Sequence, residues 1–269
     1  MADPTRPLRV VKLGGSVITR KREVERVRPK TLARLATEIA SVEGVDLIVL
    51  HGAGSFGHPG AKRFGLAAAP AAGATARIRA RGAAIVAAEV RRLHLLVLRA
   101  LVDAGASPAS VPMATHASNR EGRLAALDVG PLRAALADGR SPVSFGDVVP
   151  DTAWGSSILS ADTIALEVAR TMHPDRVVFV SDVPGIYEGP PVGRRRIVAE
   201  LTPDAVDRLR ASGSGPDVTG GIRGKAEAML AIAHAGADAV LISGLSDGAT
   251  SRALGGATVH GSWAHARRG

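Results

Sequence analysis

Short apolar runs that lead into glycine alternate with segments of helical periodicity along most of the chain. Residues 8–13 are apolar and lead directly into Gly14-Gly15-Ser16. Residues 46–50 form a second apolar run, which leads into His51-Gly52-Ala53-Gly54. Between these runs, residues 30–42 carry apolar side chains at the spacing of one helix face. Strand, helix and strand in this order predict a right-handed βαβ unit with parallel strands.

The same alternation continues to the end of the chain and predicts an α/β fold. Residues 67–76 are rich in alanine, glycine and proline and are predicted to form a loose connection. The further predicted helices cover residues 75–104, with a candidate break at Gly82, residues 161–172 behind the N-cap Ser160, residues 203–211 and residues 219–235. The further predicted strands cover residues 142–145, 176–180 and 239–242. No linker divides the pattern, so we expect one domain over residues 1–269 with one continuous sheet.

Composition limits the classes of function. The net charge of +9 is compatible with nucleic-acid binding, but the basic residues are spread along the chain and aromatic residues make up only 3%. The absence of cysteine excludes disulfides, thiolate metal sites and cysteine nucleophiles. No apolar run approaches the roughly 20 residues that span a bilayer. We therefore expect a cytoplasmic protein that binds small anions, with neither nucleic acid nor membrane as a partner.

The placement of lysine is the strongest sign of chemistry. The chain has only five lysines against 29 arginines, and three of them, Lys12, Lys21 and Lys225, lie in or beside glycine-rich segments. Lysine is a compact point charge, whereas arginine is a rigid fork that prefers fixed partners. Glycine-rich loops at strand ends and helix starts gather backbone amides around anions. The pattern predicts a phosphoryl-transfer site, and the alternative is three ordinary surface lysines.

Three familiar motifs are absent. Residues 220–225 are one residue too short for a P-loop, and Ala226 stands where a magnesium-binding hydroxyl would be. Ser55 is not a nucleophile elbow, because Ala53 occupies the first glycine position of that motif. The first strand is not followed by a dinucleotide-binding fingerprint. These observations disfavour a P-loop NTPase, an α/β-hydrolase and a Rossmann dehydrogenase.

Five motifs in family order resemble the amino acid kinase superfamily. The opening one is Val11-Lys12-Leu13-Gly14-Gly15-Ser16-Val17-Ile18-Thr19-Arg20-Lys21. A second, residues 51–59, more narrowly resembles the isopentenyl phosphate kinases, and the others cover residues 145–149, 181–187 and 217–225. The resemblance implies a three-layer αβα sandwich around a mainly parallel sheet. It further implies that roughly residues 1–172 bind the acceptor and roughly residues 173–269 bind ATP, in a homodimer.

The resemblance also implies a reaction and the residues that perform it. The expected activity is ATP-dependent phosphorylation of isopentenyl phosphate, with Mg²⁺ carried by the nucleotide rather than by a protein cage. Lys12 would contact the β- and γ-phosphates, Lys21 would stabilise the transition state, and Asp162 would orient both lysines. His58 would bind the terminal phosphate of a phosphate monoester acceptor. The simpler alternatives are helix capping for Asp162 and a purely structural role for His58, as we expect for His51.

Further positions are implied to hold the two substrates. The implied nucleotide contacts are Lys12, Gly14, Gly15, Ser16, Gly54, Asp182, Tyr187, Gly221 and Lys225. The implied acceptor contacts are Ala53, Gly54, His58, Asp147 and Gly155. Two positions depart from the family pattern: Ala161 stands in place of a usual glycine, and Pro184 in place of a frequent aspartate.

Several alternatives remain open at this stage. A fosfomycin-type kinase would share the fold and a similarly placed histidine while phosphorylating a phosphonate. An amino acid or carboxylate kinase is a more distant alternative, which His58 disfavours. A non-catalytic nucleotide-binding regulator is a different class, and the presence of Lys12, Lys21, Asp162 and Lys225 together disfavours it.

Overall fold

The computed structural model describes residues 6–20, 23–70, 76–188, 196–211 and 221–266. In chain order the strands are β1 (Leu8–Leu13), β2 (Asp46–His51), β3 (Pro108–Ser110), β4 (Ala117–Arg120), β5 (Arg123–Leu127), β6 (Ser141–Phe145), β7 (Asp147–Asp151), β8 (Gly155–Leu159), β9 (Arg176–Ser181), β10 (Tyr187–Glu188), β11 (Arg196–Ile197), β12 (Asp238–Ser243) and β13 (Ser262–Ala264). The α-helices are α1 (Gly15–Ile18), α2 (Pro29–Ala40), α3 (Gly54–Arg63), α4 (Ala76–Asp103), α5 (Gly130–Ala137), α6 (Ala161–Met172), α7 (Pro203–Ala211), α8 (Gly221–His234) and α9 (Ala249–Leu254).

The centre of the protein is a sheet whose described strands follow the order β13-β12-β9-β1-β2-β6-β3. Neighbouring strands are parallel except for the edge strand β13, which runs antiparallel to β12. The predicted βαβ unit of β1, α2 and β2 is confirmed. Since β1 lies between β2 and β9, the loops after all three strands meet at one edge of the sheet.

Alternating side chains of the central strands form two hydrophobic cores. Val10 of β1 and Phe179 of β9 belong to the core that includes residues of α6, α7 and α8. Val11 and Val178, their neighbours in sequence, belong to the core on the opposite face, with residues of α2, α4 and α9. Because strand side chains alternate between faces, both faces of the sheet are covered by helices. The predicted three-layer αβα sandwich is confirmed.

All the predicted strands lie in the central sheet, which spans both halves of the chain, so the prediction of a continuous sheet is confirmed; further strands, which were not predicted, form separate sheets. The strands β5-β4-β7-β8 form a separate sheet, and β10 pairs with β11 alone. Gly146 separates β6, in the larger sheet, from β7, in the smaller one. Its amide donates a hydrogen bond to the carbonyl oxygen of His51, the last residue of β2. Asp151, buried at the end of β7, accepts hydrogen bonds from the amides of Gly122 and Trp154 and from the hydroxyl of Ser157. These polar contacts organise a sheet that apolar periodicity does not reveal.

The long helix α4 is continuous, so the predicted break at Gly82 is wrong. A Cβ at position 82 would lie 2.3 Å from Cγ of Phe64. The glycine therefore lets the Phe64 ring pack directly on the helix backbone, and it does not interrupt the helix. The predicted loose connection before α4 is turn and irregular backbone as far as residue 70, and residues 71–75 lie outside the described residues. Within the described chain, no helix is long and apolar enough to cross a membrane.

Candidate active site

The glycine loops after β1 and β2 are in direct backbone contact. A Cβ on Gly15 would lie 2.4 Å from the amide nitrogen of Gly54, a distance that side chains do not tolerate. Gly54 has a φ of +50°, which favours glycine, and its own Cβ would lie 2.2 Å from Oγ1 of Thr19. Glycine at both positions is thus required to bring the two loops together. Residues of both loops line one cleft.

Two lysines share one carboxylate at the base of this cleft. Nζ of Lys12, on β1, lies 2.7 Å from Oδ1 of Asp162 as an ion pair. Nζ of Lys225, on α8, donates a hydrogen bond of 3.2 Å to Oδ2 of the same residue. The Asp162 carboxylate therefore joins strand β1 to helices α6 and α8. Ser160 caps α6 by accepting a hydrogen bond from the amide of Thr163, so Asp162 is not the capping residue.

Burial and mutual charge shift the pKa of this cluster. Burial alone would raise the pKa of Asp162, but Lys12 and Lys225 together hold it well below its usual range. Burial lowers the pKa of Lys12 from 10.5 to about 8, with the charge of Lys225 acting in the same direction and Asp162 opposing both. Two ammonium groups on one carboxylate leave an excess positive charge in a site of low solvent access. Such a site favours an anionic ligand.

The loop after β9 completes the polar side of the cleft. The hydroxyl of Ser16 donates a hydrogen bond of 2.7 Å to Oδ1 of Asp182, which connects the loops after β1 and β9. Both residues line the cleft, as does Val183. Pro184 lies in the bend that follows. Ala161, the other departure from the family pattern, is buried, and its amide nitrogen lies 3.3 Å from where a Cβ on Gly146 would be.

The cleft has a volume of about 570 Å³ and is polar at one end and apolar at the other. Its polar end is formed by the lysine–aspartate cluster and the glycine loops. The apolar wall is formed by side chains of α3, α4 and the smaller sheet: Ala61, Val86, Val90, Val148 and Ile158. The arrangement suits a ligand that has an anionic head and a short hydrocarbon tail.

His58 and Asp147 line the cleft in different ways. His58 lies on α3, one turn after Gly54, and is partly exposed to the cleft. The Asp147 carboxylate is buried and accepts two hydrogen bonds from Arg91 and one from the amide of Ala114. Burial raises the pKa of Asp147, although Arg91 acts against this shift. Asp147 thus forms part of the wall rather than a free polar group.

His51 is fully buried beside the glycine loop, in agreement with a structural role. Its Nδ1 lies 3.2 Å from the carbonyl oxygen of Gly52, to which it must donate, so its Nε2 accepts from Nδ1 of His94 at 3.1 Å. Nε2 of His94 then accepts from the hydroxyl of Ser110 at 2.8 Å. Burial lowers the pKa of His51 to about 3 and that of His94 to about 4, so both rings are neutral.

The structure brings some predicted site residues together and leaves others apart. The cleft is lined by Lys12, Gly14, Gly15, Ser16, Ala53, Gly54, His58, Asp147, Asp162, Asp182 and Lys225. Gly155 is exposed at the start of β8, the end of that strand away from Ser160, and does not line the cleft. Tyr187 pairs with Ile197 in the β10–β11 ribbon and does not line it either. Lys21 and the loop before Gly221 lie outside the described residues, and Gly221 itself begins α8.

The sequence did not single out the apolar wall of the cleft. Val86 and Val90 lie within the helix predicted for residues 75–104, and they pack in a core with Phe145 and Val148. The same two side chains also face the cleft. Helical periodicity reports that a residue is covered but not whether protein or a ligand covers it, so no signal in the sequence distinguishes the two.

Residues 7–243 match the amino acid kinase family. The chain belongs to this family. It is 32% identical to isopentenyl phosphate kinase from Methanothermobacter thermautotrophicus, over 94% of this chain and 97% of that protein. It is 35% identical to isopentenyl phosphate kinase from Thermoplasma acidophilum, over 82% of this chain and 85% of that one.

Solved structures agree with this assignment. An X-ray structure of isopentenyl phosphate kinase superposes with a TM-score of 0.84 at 29% identity, over 96% of this chain and 99% of that chain. Aspartate kinase from Synechocystis superposes with a TM-score of 0.65 at 21% identity, which shows a common fold. The kinase family implies a phosphotransferase that uses ATP.

The charge cluster of Lys12, Asp162 and Lys225 leads to a prediction that distinguishes its role from simple helix capping by Asp162. Replacing Asp162 with asparagine leaves the buried ammonium group of Lys12 and the half-buried one of Lys225 without their carboxylate, which should destabilise the protein by about 3 kcal/mol at pH 7. The pKa of Lys12 should then fall further below its unfolded value, so that between the two values the unfolded chain binds more protons than the folded chain. The stability of Asp162→Asn should therefore recover partly between pH 7 and pH 9. Urea denaturation at both pH values measures this recovery.

Asp204 provides the matched control. It is an exposed acidic residue in the first turn of α7 and contributes to helix-end electrostatics only. We expect Asp204→Asn to change stability by less than about 1 kcal/mol at either pH. An equal loss of stability in the two variants, or a loss of stability in Asp162→Asn that does not depend on pH, would contradict the proposed electrostatic role of the cluster.

Proposed function

We propose that this protein transfers the γ-phosphate of ATP directly to isopentenyl phosphate and forms isopentenyl diphosphate. The observation that supports this proposal is a cleft in which the Lys12–Asp162–Lys225 cluster faces two glycine loops, with an apolar wall at the other end. The isopentenyl phosphate kinases to which the chain is similar span nearly its whole length.

Phosphoryl transfer requires alignment of the two phosphates and neutralisation of charge. Lys12 would contact the transferring group, because its ammonium lies beside Asp162 and lines the same cleft as the glycine loops. Asp162 would hold Lys12 and Lys225 in place and keep their mutual repulsion small. Amides of Gly15 and Gly54 would bind phosphate oxygens as the loops exclude water. The amide of Gly14 instead donates a hydrogen bond of 2.7 Å to the carbonyl oxygen of Val180, so Gly14 would shape the loop rather than contact phosphate. Lys21 would add positive charge at the transition state, as the family resemblance implies.

The acceptor needs no strong general base. A phosphate monoester has a second pKa near about 6, so it is largely a dianion at neutral pH. His58 would donate a hydrogen bond to this phosphate from α3, within the same cleft as the lysines. Val86, Val90 and Ile158 would cover the five-carbon tail and so orient the phosphate toward Lys12.

The nucleotide would bind on the β9 side of the cleft. Ser16, Asp182 and Lys225 line that side, and the amides and ammonium groups there suit a polyphosphate. Mg²⁺ carried by ATP would neutralise phosphate charge during transfer. In this arrangement residues 1–172 supply the acceptor side and the lysine and glycine contacts to the transferring phosphate. Residues 173–269 supply the contacts of Asp182 and Lys225 and the proposed one of Gly221. We propose a cytoplasmic location, in keeping with a dependence on ATP. We also propose a homodimer, as the family resemblance implies.

The apolar wall favours this substrate over the alternatives. A fosfomycin-type acceptor would bind by its phosphonate at the polar end and place only a short oxygen-bearing tail against Val86 and Val90, where those side chains offer the oxygen no hydrogen-bond partner. An amino acid acceptor would bury an ammonium group against the same wall. A nucleotide-binding regulator would not require the apolar end of the cleft.

The first test is turnover on separate acceptors. Mg·ATP is supplied with isopentenyl phosphate, dimethylallyl phosphate, fosfomycin or N-acetylglutamate at one concentration, and ADP release is measured. We expect the two five-carbon phosphates to be phosphorylated, with a diphosphate product in the phosphorus NMR spectrum. Turnover on fosfomycin alone, or on N-acetylglutamate alone, would be consistent with a kinase but would contradict the proposed substrate. ATP binding without turnover on any acceptor would support a regulator.

The role of His58 makes a second prediction. His58→Ala should lower kcat/KM for isopentenyl phosphate by about 10- to 100-fold, the value of a hydrogen bond to a charged group. The KM for ATP should change little, because His58 lies on the acceptor side. His58→Gln, which keeps a donor, should recover part of the loss. Exposed His260, which does not line the cleft, provides the control, and a His58→Ala enzyme as active as His260→Ala would rule out the proposed contact.

A further inference from the structure

Thr19 joins the two glycine loops through a single hydroxyl group. This side chain is fully buried at the end of α1 and does not line the cleft. Its Oγ1 donates a hydrogen bond of 2.6 Å to the carbonyl oxygen of Gly15. The same oxygen accepts a hydrogen bond of 3.0 Å from the amide of Ser55. One atom therefore connects the loop after β1 to the loop after β2.

The local backbone is built around this hydroxyl. Gly54 adopts the left-handed region, and a Cβ there would lie 2.2 Å from Oγ1 of Thr19. The glycine thus leaves the space in which the hydroxyl approaches the Ser55 amide. Any change in the position of Oγ1 must be transmitted to the backbone of both loops, because neither hydrogen bond has a flexible side chain at its other end.

Ser55 extends the connection to a third segment. Its carbonyl oxygen accepts from the amide of Glu25 at 3.1 Å, and its hydroxyl accepts from the amide of Arg26 at 3.1 Å. Thr19 also forms an isolated bridge with Val27. The junction is therefore a fixed point for residues 23–27 as well as for the two loops.

We propose that Thr19 is a positioning residue for phosphoryl transfer, whose hydroxyl sets the distance between the loops that hold the donor and acceptor phosphates. The inference rests on the proposed kinase function. Each loop can bind its own phosphate whatever the distance between them, but transfer requires both phosphates in line and in contact. A displacement of about 1 Å can lower the rate by about 100-fold. Loss of the hydroxyl should therefore lower kcat and leave the two binding steps nearly unchanged.

The test compares two variants of Thr19. Thr19→Val has the same shape but no hydroxyl, whereas Thr19→Ser keeps the hydroxyl. Initial rates with Mg·ATP and isopentenyl phosphate are measured where thermal denaturation shows each variant to be folded. We expect Thr19→Val to lower kcat at least about tenfold, while the KM for ATP and the KM for isopentenyl phosphate each change less than about threefold. Thr19→Ser should retain kcat within about threefold of wild type.

Thr250 is the control for a buried threonine. Thr250 lies on α9, is fully buried together with its Oγ1, and does not line the cleft. Thr250→Val should leave kcat unchanged. If Thr19→Val does not fold, Thr19→Cys gives the same comparison, because a thiol is only a weak donor and acceptor. It should be slower than Thr19→Ser.

Three results would overturn the positioning role. The first is an unchanged kcat in Thr19→Val, or in Thr19→Cys where that variant replaces it. The second is a loss of kcat in Thr19→Ser as large as the loss in Thr19→Val. The third is an effect of Thr19→Val on KM instead of on kcat. In each case an active wild-type enzyme would leave the kinase function standing. A wild-type enzyme with no turnover on phosphate acceptors would overturn both proposals.

Discussion

The site depends on the placement of one carboxylate between two ammonium groups. Lys12 and Lys225 come from a strand and a helix more than 200 residues apart, and both approach Asp162. Without that carboxylate, the like charges of buried Lys12 and half-buried Lys225 would repel each other, and this repulsion would oppose the contact between strand and helix. With it, the cluster retains an excess positive charge next to a cleft. The fold is thus stabilised by the same group that keeps the site cationic.

The parallel sheet determines where this charge is used. Because β1 lies between β2 and β9, the carboxyl ends of these strands bring three loops to a single edge. Glycine at positions 15 and 54 lets two of the loops touch through their backbones. A larger side chain at either position would separate the loops and, in the proposed mechanism, the two phosphates. Close approach of backbone therefore matters as much as charge.

The sequence predicted an α/β fold with parallel strands because its central strands and helices carry strong apolar periodicity, whereas the three-layer sandwich followed from the family resemblance. Helix α6 and its cap Ser160 were predicted without error, since capping is a local property of a few residues. The smaller sheet was not predicted because the buried positions of its short strands mix apolar side chains with polar ones such as Asp151, Asn119 and Ser157, so they give no clear apolar period. The continuity of α4 at Gly82 depends on Phe64, a distant residue that no local rule includes.

For the site, the residue pattern identified the glycine loops, Lys12 and Lys225, and the family resemblance added Asp162. Glycine, lysine and aspartate at strand and helix ends indicate chemistry whatever packs around them. The apolar wall and the Thr19 junction were not identified, because a valine or threonine in the interior looks the same in any core. Gly155 and Tyr187 followed from the resemblance alone, and neither lies on the cleft.

The most direct test of the account is a crystal structure with a non-hydrolysable ATP analogue and isopentenyl phosphate bound together. The account predicts the terminal phosphate of the nucleotide beside Nζ of Lys12, with the acceptor phosphate between the Gly54 amide and His58. The tail should lie against Val86 and Val90. A nucleotide bound away from the lysine–aspartate cluster, or an acceptor phosphate out of contact with the nucleotide, would contradict it.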